Sequence, residues 1–327
     1  MSAQRVRPAA AHAPQPAPGA TLRVATHNVC GLLAGPQPHA KLCSLDRLWR
    51  HERLDVVMLT ETHVATTRSR NRAEAALHAS ALALKGPRWE AHWALAVRTQ
   101  NGGVSGGVAI LIRSDLLQSG SIVVRDQAVV RDTLAGRYVS IRVTWGGATA
   151  ASQSLRLTCC YAPNQPAAQR AFFPRLASVV GTAAASATST AHVVGGDFNF
   201  TPTPALDRHS GLPSSGCETG VASLFSTTFP DLCDVYRHLH PQRRGFTYHK
   251  PGPGGAPVAS RIDRIYVSQR LLTYVPTCDI IPSTPSDHLP VAMTLTARRP
   301  SERGKPLPRH TTTFAVYQDL ADRFRAF

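Results

Sequence analysis

Polar residues that suit metal and phosphate chemistry follow apolar runs at several points along the chain. These segments are Thr26-His27-Asn28, Leu59-Thr60-Glu61-Thr62, Gly196-Asp197-Phe198-Asn199, Arg261-Ile262-Asp263 and Ser286-Asp287-His288. Strands that end in polar residues bring them to one edge of a sheet, where loops build a site on a rigid frame. Phosphodiester hydrolysis needs a hard divalent cation, a group that orients or deprotonates water, and donors to the charge developing on phosphorus. The combination predicts a metal-dependent phosphodiesterase.

In their order and spacing, these segments resemble the endonuclease/exonuclease/phosphatase superfamily, which also contains DNase I and exonuclease III. The similarity spans about residues 22–297, and its most specific marks are the runs 195–199 (Gly-Gly-Asp-Phe-Asn) and 286–290 (Ser-Asp-His-Leu-Pro). The resemblance implies an α+β fold. The expected architecture is a four-layer α/β sandwich of the DNase I/exonuclease III type, with two packed mixed β-sheets flanked by helices.

The resemblance also implies a metal site built on carboxylates and an amide. The residues expected to bind the metal are Glu61, Asn28 and Asp287. Their oxygen atoms suit Mg²⁺, with Mn²⁺ as a possible substitute. Many relatives carry Asp or Asn two positions after the first Asn, whereas this chain has Cys30, and a thiol is a poor Mg²⁺ ligand. The alternative for Glu61 is a surface carboxylate at the end of a strand.

A set of catalytic residues follows from the same resemblance. These residues are Asp197, Asn199, His288, Asp263 and Tyr161. Asp197 would orient or deprotonate the water, and Asn199 would hold it together with the scissile phosphate. His288 would contact the phosphate, with Asp263 set against its ring as in a catalytic triad. A plain Asx turn after a strand is the alternative for Asp197 and Asn199.

Two further residues are candidates for binding the substrate. Asn164 follows Tyr161-Ala162-Pro163 just before a predicted helix, and a helix N-terminus is itself an anion site. The alternative is that Asn164 merely caps that helix. Arg261 is expected to contact a backbone phosphate or to brace its strand.

Within the superfamily, the branch that acts on DNA fits best. Tyr161-Ala162-Pro163-Asn164-Gln165-Pro166 followed by Phe172-Phe173 is similar to the endonuclease domain of LINE-type non-LTR retrotransposons. That resemblance implies nicking of one DNA strand to leave a 3′-hydroxyl, with a downstream reverse transcriptase and element RNA as partners. The alternatives are an abasic-site DNA repair endonuclease, a catalytically impaired DNA-binding retroelement remnant, and a phosphatase acting on a small or lipid phosphate.

Short apolar runs and helical spacings predict the elements that hold these residues. The predicted strands are 22–27, 54–59, 105–113, 138–145, 155–161, 192–195, 261–268 and 291–296. Helices are predicted over 42–53 and from Gln165 or Pro166, the second with a kink or an early break at Pro174. The stretch 182–191 is expected to be a surface helix end or loop, and 201–255 to be rich in loops.

Composition sets the wider expectations. The 327 residues carry a formal net charge of +16, which attracts polyanions, and nucleic acid is the commonest such partner. None of the 7 cysteines lies in a CxxC pair, which favours reduced thiols in an intracellular protein. We expect a nuclear or intracellular monomer that is neither secreted nor inserted in a membrane. A mitochondrial transit peptide at the acid-free start is the alternative.

The domain division follows the same composition. Residues 1–20 are predicted to be a flexible basic lead-in, residues 21–297 one endonuclease/exonuclease/phosphatase domain, and residues 298–327 a basic linker and tail that is weakly helical from Thr313. Because strands occur throughout the central segment, a single layered domain is favoured over two separate ones.

Overall fold

A computed structural model describes most of the segment between residues 21 and 297. The described ranges are 21–99, 102–129, 134–146, 153–180, 190–209, 216–251, 257–282 and 284–297. The predicted lead-in and the predicted basic tail both lie outside them, and so does nearly all of the stretch 182–191.

The described residues form strands, often several in succession, with helices between the groups of strands. The strands are β1 (Thr21–Asn28), β2 (Val56–Thr60), β3 (Trp89–Ala94), β4 (Val97–Arg98), β5 (Val104–Ser105), β6 (Val108–Arg113), β7 (Ile122–Val129), β8 (Tyr138–Trp145), β9 (Gln153–Tyr161), β10 (Ala191–Asp197), β11 (Arg208–His209), β12 (Leu232–Asp234), β13 (Tyr248–Pro251), β14 (Pro257–Ser260), β15 (Asp263–Ser268), β16 (Thr277–Ile280) and β17 (Val291–Thr296). The helices are α1 (Pro38–His51), α2 (Thr67–Ala83), α3 (Ser114–Gln118), α4 (Pro166–Val180), α5 (Pro204–Asp207), α6 (Gly216–Thr228) and α7 (Val235–Leu239), with a 3₁₀ helix over Gln269–Tyr274.

Two six-stranded mixed sheets form the centre of the molecule. Their strand orders are β16-β17-β1-β2-β6-β3 and β12-β15-β10-β9-β8-β7. One apolar core lies between the sheets, a second joins the first sheet to α1 and α2, and a third joins the second sheet to α4 and α6. Helix, sheet, sheet and helix therefore make four layers, and the predicted sandwich is confirmed.

Alternation along the strands explains why each sheet buries both faces. In β2, Val56 and Met58 belong to the core between the sheets, whereas Val57 and Leu59 pack towards the helices. Successive side chains of a strand point to opposite faces, so an unbroken apolar run fills two cores at once. This double burial anchors the strand that ends next to Glu61.

A pair of glycines lets the backbone of β10 pack closely against its neighbours. A Cβ added to Gly195 would lie 2.6 Å from the sulfur of Met58 in the opposite sheet. One added to Gly196 would lie 1.8 Å from the carbonyl oxygen of Cys160 on the adjacent strand. The strand was predicted to stop at these glycines, but it continues through them and ends at Asp197.

Several predicted elements need correction. The segment 201–255, expected to be rich in loops, contains α6 and α7 together with three short strands. Helix α4 does not break at Pro174 but continues to Val180. The first helix begins at Pro38, four residues before the predicted start, because a proline is well tolerated in the first turn. Within the described residues, no helix is both long and apolar enough to cross a membrane.

Candidate active site

The ends of strands from both sheets meet at one edge of the sandwich. In the first sheet, β1 ends at Asn28, in register with Thr60, the residue before Glu61. In the second sheet, Asp197 at the end of β10 pairs with Asp263 on one side and with Tyr161 on the other. Four of the predicted residues therefore lie at strand ends, namely Asn28, Asp197, Asp263 and Tyr161. Glu61 lies one residue beyond the end of β2.

Asn28 connects the two sheets at this edge. Its Nδ2 lies 3.0 Å from Oε1 of Glu61 and 3.1 Å from Oδ2 of Asp197. The other end of the same amide accepts a hydrogen bond of 3.0 Å from the backbone nitrogen of Cys30. Ser286 Oγ donates to the carbonyl of Asn28 at 2.8 Å. Asn28 therefore orients two carboxylates and is itself held from two sides.

Glu61 is ionised over the whole ordinary pH range. Burial opposes ionisation, but hydrogen bonds from His63, Asn28 and Tyr161 outweigh it and lower the pKa of Glu61 to about 2. The same contact has the reverse effect on Tyr161, because burial and the Glu61 charge raise the pKa of its phenol well above the usual value. The phenol therefore stays protonated beside the carboxylate.

His288 and Asp263 form a buried pair. Nδ1 of His288 donates to Oδ2 of Asp263 at 2.7 Å. Burial alone would lower the pKa of His288, but the charge of Asp263 and this hydrogen bond raise it to about 9. The imidazolium form is therefore favoured at neutral pH, and Nε2 is left as a donor. This is the geometry that triad logic requires of a histidine and its orienting carboxylate.

Asp197 is held in a fixed orientation but is hard to ionise. Its Oδ1 accepts a hydrogen bond of 2.9 Å from the backbone nitrogen of Asn199, and its Oδ2 faces Asn28. Burial and the charge of Asp263 raise the pKa of Asp197 to about 7. Asn199 has a left-handed backbone with φ 52°, and its side-chain Nδ2 donates a hydrogen bond to the carbonyl of Ala162. Asp197 is thus suited to exchange a proton near neutral pH.

These residues fit a hard divalent cation. Ligand atoms of Asp197, Asp263 and His288 lie within 4.8 Å of one another, but the imidazolium of His288 is a donor, so the two carboxylates are the groups of this cluster that suit a cation. Oδ1 of Asp263 is buried and has no hydrogen-bond partner, which is an unmet need for a positive charge or a donor. Glu61 joins this group through Asn28. Oxygen donors prevail, as Mg²⁺ or Mn²⁺ prefers.

Asp287 and Cys30 lie at the exposed rim of the site. The Asp287 side chain is hydrogen-bonded to the thiol of Cys30, and burial together with the charges of Asp287 and Glu61 raises the pKa of that thiol. Lys41 Nζ donates to the carbonyl of Cys30 at 2.9 Å. The thiol therefore stays protonated among the predicted metal ligands.

The two predicted substrate-binding residues differ in their placement. Asn164 is exposed just ahead of α4. Arg261 is only 1% exposed, and its guanidinium bonds Asp207 at 2.7 Å and Asp234 at 2.8 Å. These two carboxylates engage Arg261 inside the protein. It is an ion-pair residue that braces the start of β15 rather than a phosphate ligand, which corrects its assignment to substrate binding.

Two residues of the site were missed at the level of sequence. His63 Nε2 lies 3.5 Å from Oε2 of Glu61. Tyr248 pairs with His288 through an isolated β-bridge, and their ring centroids are 4.6 Å apart. His63 directly follows the segment Leu59-Thr60-Glu61-Thr62, so its position next to Glu61 could have indicated a role from sequence alone. Tyr248 lies in the region predicted to be loops, and only tertiary structure brings it to His288.

Comparison with known proteins identifies the family to which this chain is similar. The model of the Endonuclease/Exonuclease/phosphatase family matches residues 25–288. A curated relative, the Transposon TX1 uncharacterized 149 kDa protein of Xenopus laevis, is 31% identical over 155 residues. That match covers 47% of this chain and only 11% of the transposon protein.

Solved structures with this fold include an AP endonuclease. The AP endonuclease LMAP from Leishmania major is 18% identical, with a TM-score of 0.62 over 85% of this chain and 89% of that one. The catalytic domain of Xenopus laevis APE2 gives the same identity and TM-score over 84% and 92%. TDP2 from Caenorhabditis elegans is 14% identical, with a TM-score of 0.56 over 84% and 74%. At these identities the likeness establishes the fold.

Proposed function

The chain belongs to the endonuclease/exonuclease/phosphatase family, and on that premise we propose that it is a Mg²⁺-dependent endonuclease that nicks DNA and leaves a 3′-hydroxyl. The observation that carries the proposal is the convergence of Glu61, Asp197 and His288, with Asn28 and Asp263, at one edge of the two sheets. The net charge of +16 supports a polyanionic substrate.

Each group has a distinct task in the proposed reaction. Asp197 takes the proton of the attacking water, which forms the new bond to phosphorus, because its raised pKa suits a base near neutral pH. His288 offers Nε2–H to a non-bridging oxygen, since Asp263 holds Nδ1. The P–O3′ bond breaks as the bond from water to phosphorus forms, which leaves a 5′-phosphate, and O3′ takes a proton from solvent water to become the 3′-hydroxyl. Mg²⁺ bound near Glu61 would supply charge neutralisation on the phosphate oxygens.

The transposon relative supports a retroelement setting. In that setting the 3′-hydroxyl primes a reverse transcriptase that copies element RNA, and the protein works in the nucleus or another intracellular compartment. A repair enzyme for abasic sites is the second candidate, and the fold that the chain shares with AP endonucleases favours it.

A plasmid assay tests the proposal. Supercoiled plasmid incubated with the protein and Mg²⁺ should become open circular, and a DNA polymerase should extend the nick without prior end repair. Asp197→Ala and His288→Ala should abolish nicking, whereas His51→Ala, an exposed histidine at the end of α1, should not. Intact plasmid with the folded wild-type protein would refute the endonuclease.

Three further measurements separate the alternatives. Faster cutting of a duplex oligonucleotide with one abasic site than of its intact counterpart would select the repair enzyme. Salt-sensitive DNA binding without cutting would select the impaired remnant in which Cys30 weakens the metal site. Phosphate release from inositol phosphates, with DNA left unchanged, would select a phosphatase.

A further inference from the structure

The turn after β2 has an unusual backbone at two non-glycine residues. Glu61 has φ 49° and His63 has φ 55°, and Thr62 lies between them. Left-handed conformations are uncommon for residues with a Cβ and persist where the surroundings fix them, often at functional sites. The turn therefore holds an acidic and a basic side chain two positions apart at one edge of the sheet.

Backbone hydrogen bonds fix this turn from both sides. Gly31 N donates to the carbonyl of Glu61 at 2.7 Å, and Thr62 N donates to the carbonyl of Gly107 at 2.9 Å. His63 N donates to the carbonyl of Gly106 at 3.2 Å. Bonds to loops on either side leave the backbone of the turn little freedom.

Glycines leave the space that the turn and its histidine occupy. A Cβ on Gly31 would lie 3.1 Å from Nδ1 of His63, and one on Gly107 would lie 2.5 Å from Oγ1 of Thr62. Both glycines also have positive φ, at 80° and 81°. The imidazole of His63 therefore lies closely against the loop after β1, with Nε2 towards Glu61.

The phenol of Tyr161 is one donor to the Glu61 carboxylate, and Asn28 and His63 lie at different oxygens of it. Oε1 is held by the amide of Asn28 at 3.0 Å, and Oε2 lies 3.5 Å from Nε2 of His63. We propose that His63 is a positioning residue that holds the second oxygen of Glu61, so that the carboxylate presents a fixed face to the divalent cation. This inference rests on the proposed metal-dependent function. Residues that orient a metal ligand typically change metal affinity by about 10–100-fold when they are replaced.

Two substitutions separate positioning from a purely structural role. His63→Gln keeps an amide donor at about the reach of Nε2, whereas the side chain of His63→Asn is too short to reach Oε2. Asn tolerates a left-handed backbone better than most residues. If the turn needed only a residue that accepts φ 55°, Asn would be the better replacement. If Glu61 needs a donor, Gln will be the better one.

Isothermal titration calorimetry of the metal-free protein with Mn²⁺ alone measures the affinity for the metal and does not depend on activity. We expect His63→Asn to weaken Mn²⁺ binding by about tenfold and His63→Gln to recover most of the affinity. Thermal unfolding without metal should be similar for the two variants. The exposed-surface control His51→Ala should bind Mn²⁺ like the wild type.

The plasmid assay distinguishes failure of this inference from failure of the proposed function. The Mn²⁺ concentration that gives half-maximal nicking should rise in His63→Asn, with the rate at saturating Mn²⁺ nearly retained. Equal Mn²⁺ affinity in the wild type and both variants, or better binding by Asn than by Gln, overturns the positioning role even if the wild type nicks. Mn²⁺ binding by the wild type without any nicking overturns the endonuclease instead, and the calorimetric comparison still decides the role of His63.

Discussion

The amide of Asn28 donates to Oδ2 of Asp197 at 3.1 Å, across 169 positions of sequence. This hydrogen bond joins the end of β1 in the first sheet to the end of β10 in the second. Because Asn28 also contacts Glu61, its single amide group aligns a carboxylate expected to bind metal with one expected to activate water. The distance between the Glu61 and Asp197 carboxylates therefore depends on how closely the two sheets pack.

Asn28→Ala should impair both stability and activity. The change removes a donor from Glu61 and Asp197, and a buried acceptor left unpaired costs about 1–3 kcal/mol. We expect the free energy of unfolding to fall by about that amount and nicking to slow roughly 10–100-fold. Urea denaturation and the plasmid assay measure the two effects, with the exposed Asn71→Ala on α2 as the control. Normal nicking by Asn28→Ala would contradict this role.

Asp263→Asn should slow nicking while the protein stays folded. Without the carboxylate, the charge that raises the pKa of His288 is lost, so less imidazolium is present at neutral pH. We expect a rate reduction of roughly 100-fold or more, the usual range for lost acid–base function. Histidine NMR should also report a lower pKa for His288. Asp231→Asn, near β12 and remote in sequence from the pair, is the control, and an unchanged His288 pKa would refute the explanation.

Cys30→Asp should strengthen Mg²⁺ binding. The thiol is hydrogen-bonded to Asp287 and close to the charge of Glu61, where an additional oxygen can serve a hard cation better than sulfur. Aspartate also tolerates the left-handed backbone at this position, where φ is 44°. We expect the Mg²⁺ concentration for half-maximal nicking to fall about tenfold. Cys30→Ser controls for loss of the thiol; an equal effect of both substitutions would show that the new charge is irrelevant.

Arg261→Met should act through stability. The replacement removes one guanidinium from Asp207 and Asp234, which keep Arg237 at 2.6 Å and Arg264 at 3.8 Å, respectively. The cost should therefore lie at the lower end of the range of about 3–5 kcal/mol for breaking a buried ion pair. We expect that loss in urea denaturation, with nicking by the folded fraction nearly unchanged. The exposed Arg72→Met on α2 should have little effect on either quantity. A stable Arg261→Met protein with weak nicking would restore a phosphate-binding role.

The central strands could be predicted from sequence because their apolar runs fill two cores. Tyr138–Trp145 has the predicted bounds, and the family prediction is confirmed by the match over residues 25–288. Helix α2 was missed. Its buried face is made mainly of Ala73, Ala76 and Ala81 with Leu77, and alanines give too weak an apolar stripe to stand out from the surrounding arginines.

The site could be predicted only where a residue follows a strong strand. Asp197 and Glu61 stand at the ends of fully buried runs, so their positions follow from the strands themselves. The contact of Tyr248 with His288 depends instead on how the small sheet of β11, β14 and β13 packs beside the main sandwich. No local pattern encodes that packing. The burial of Arg261 was unpredictable for the same reason, because Asp207 and Asp234 lie 54 and 27 positions away.

His27 should make the protein less stable as the pH falls below neutral. The imidazole is 0% exposed and accepts at Nδ1 a hydrogen bond of 3.2 Å from Trp49 Nε1, and Nε2 contacts Thr284 Oγ1 at 2.8 Å. Burial, assisted by the charge of His288, lowers the pKa of His27 to about 3. An unfolded histidine titrates near pH 6.5, so unfolding takes up a proton between about pH 6.5 and 3. The stabilising contribution is therefore complete above the unfolded pKa and is lost as the pH falls.

Comparison with His27→Gln isolates this contribution, because glutamine can accept the Trp49 hydrogen bond but does not titrate. Between pH 7 and pH 5, the wild type should lose about 2 kcal/mol more of its free energy of unfolding than the variant. Urea denaturation at half-unit steps of pH measures both curves under identical metal-free conditions. Since the other titrating groups are common to the two proteins, their effects largely cancel in the difference. Parallel curves would mean that His27 becomes protonated inside the folded protein, and its buried contacts with Trp49 and Thr284 would then need a different explanation.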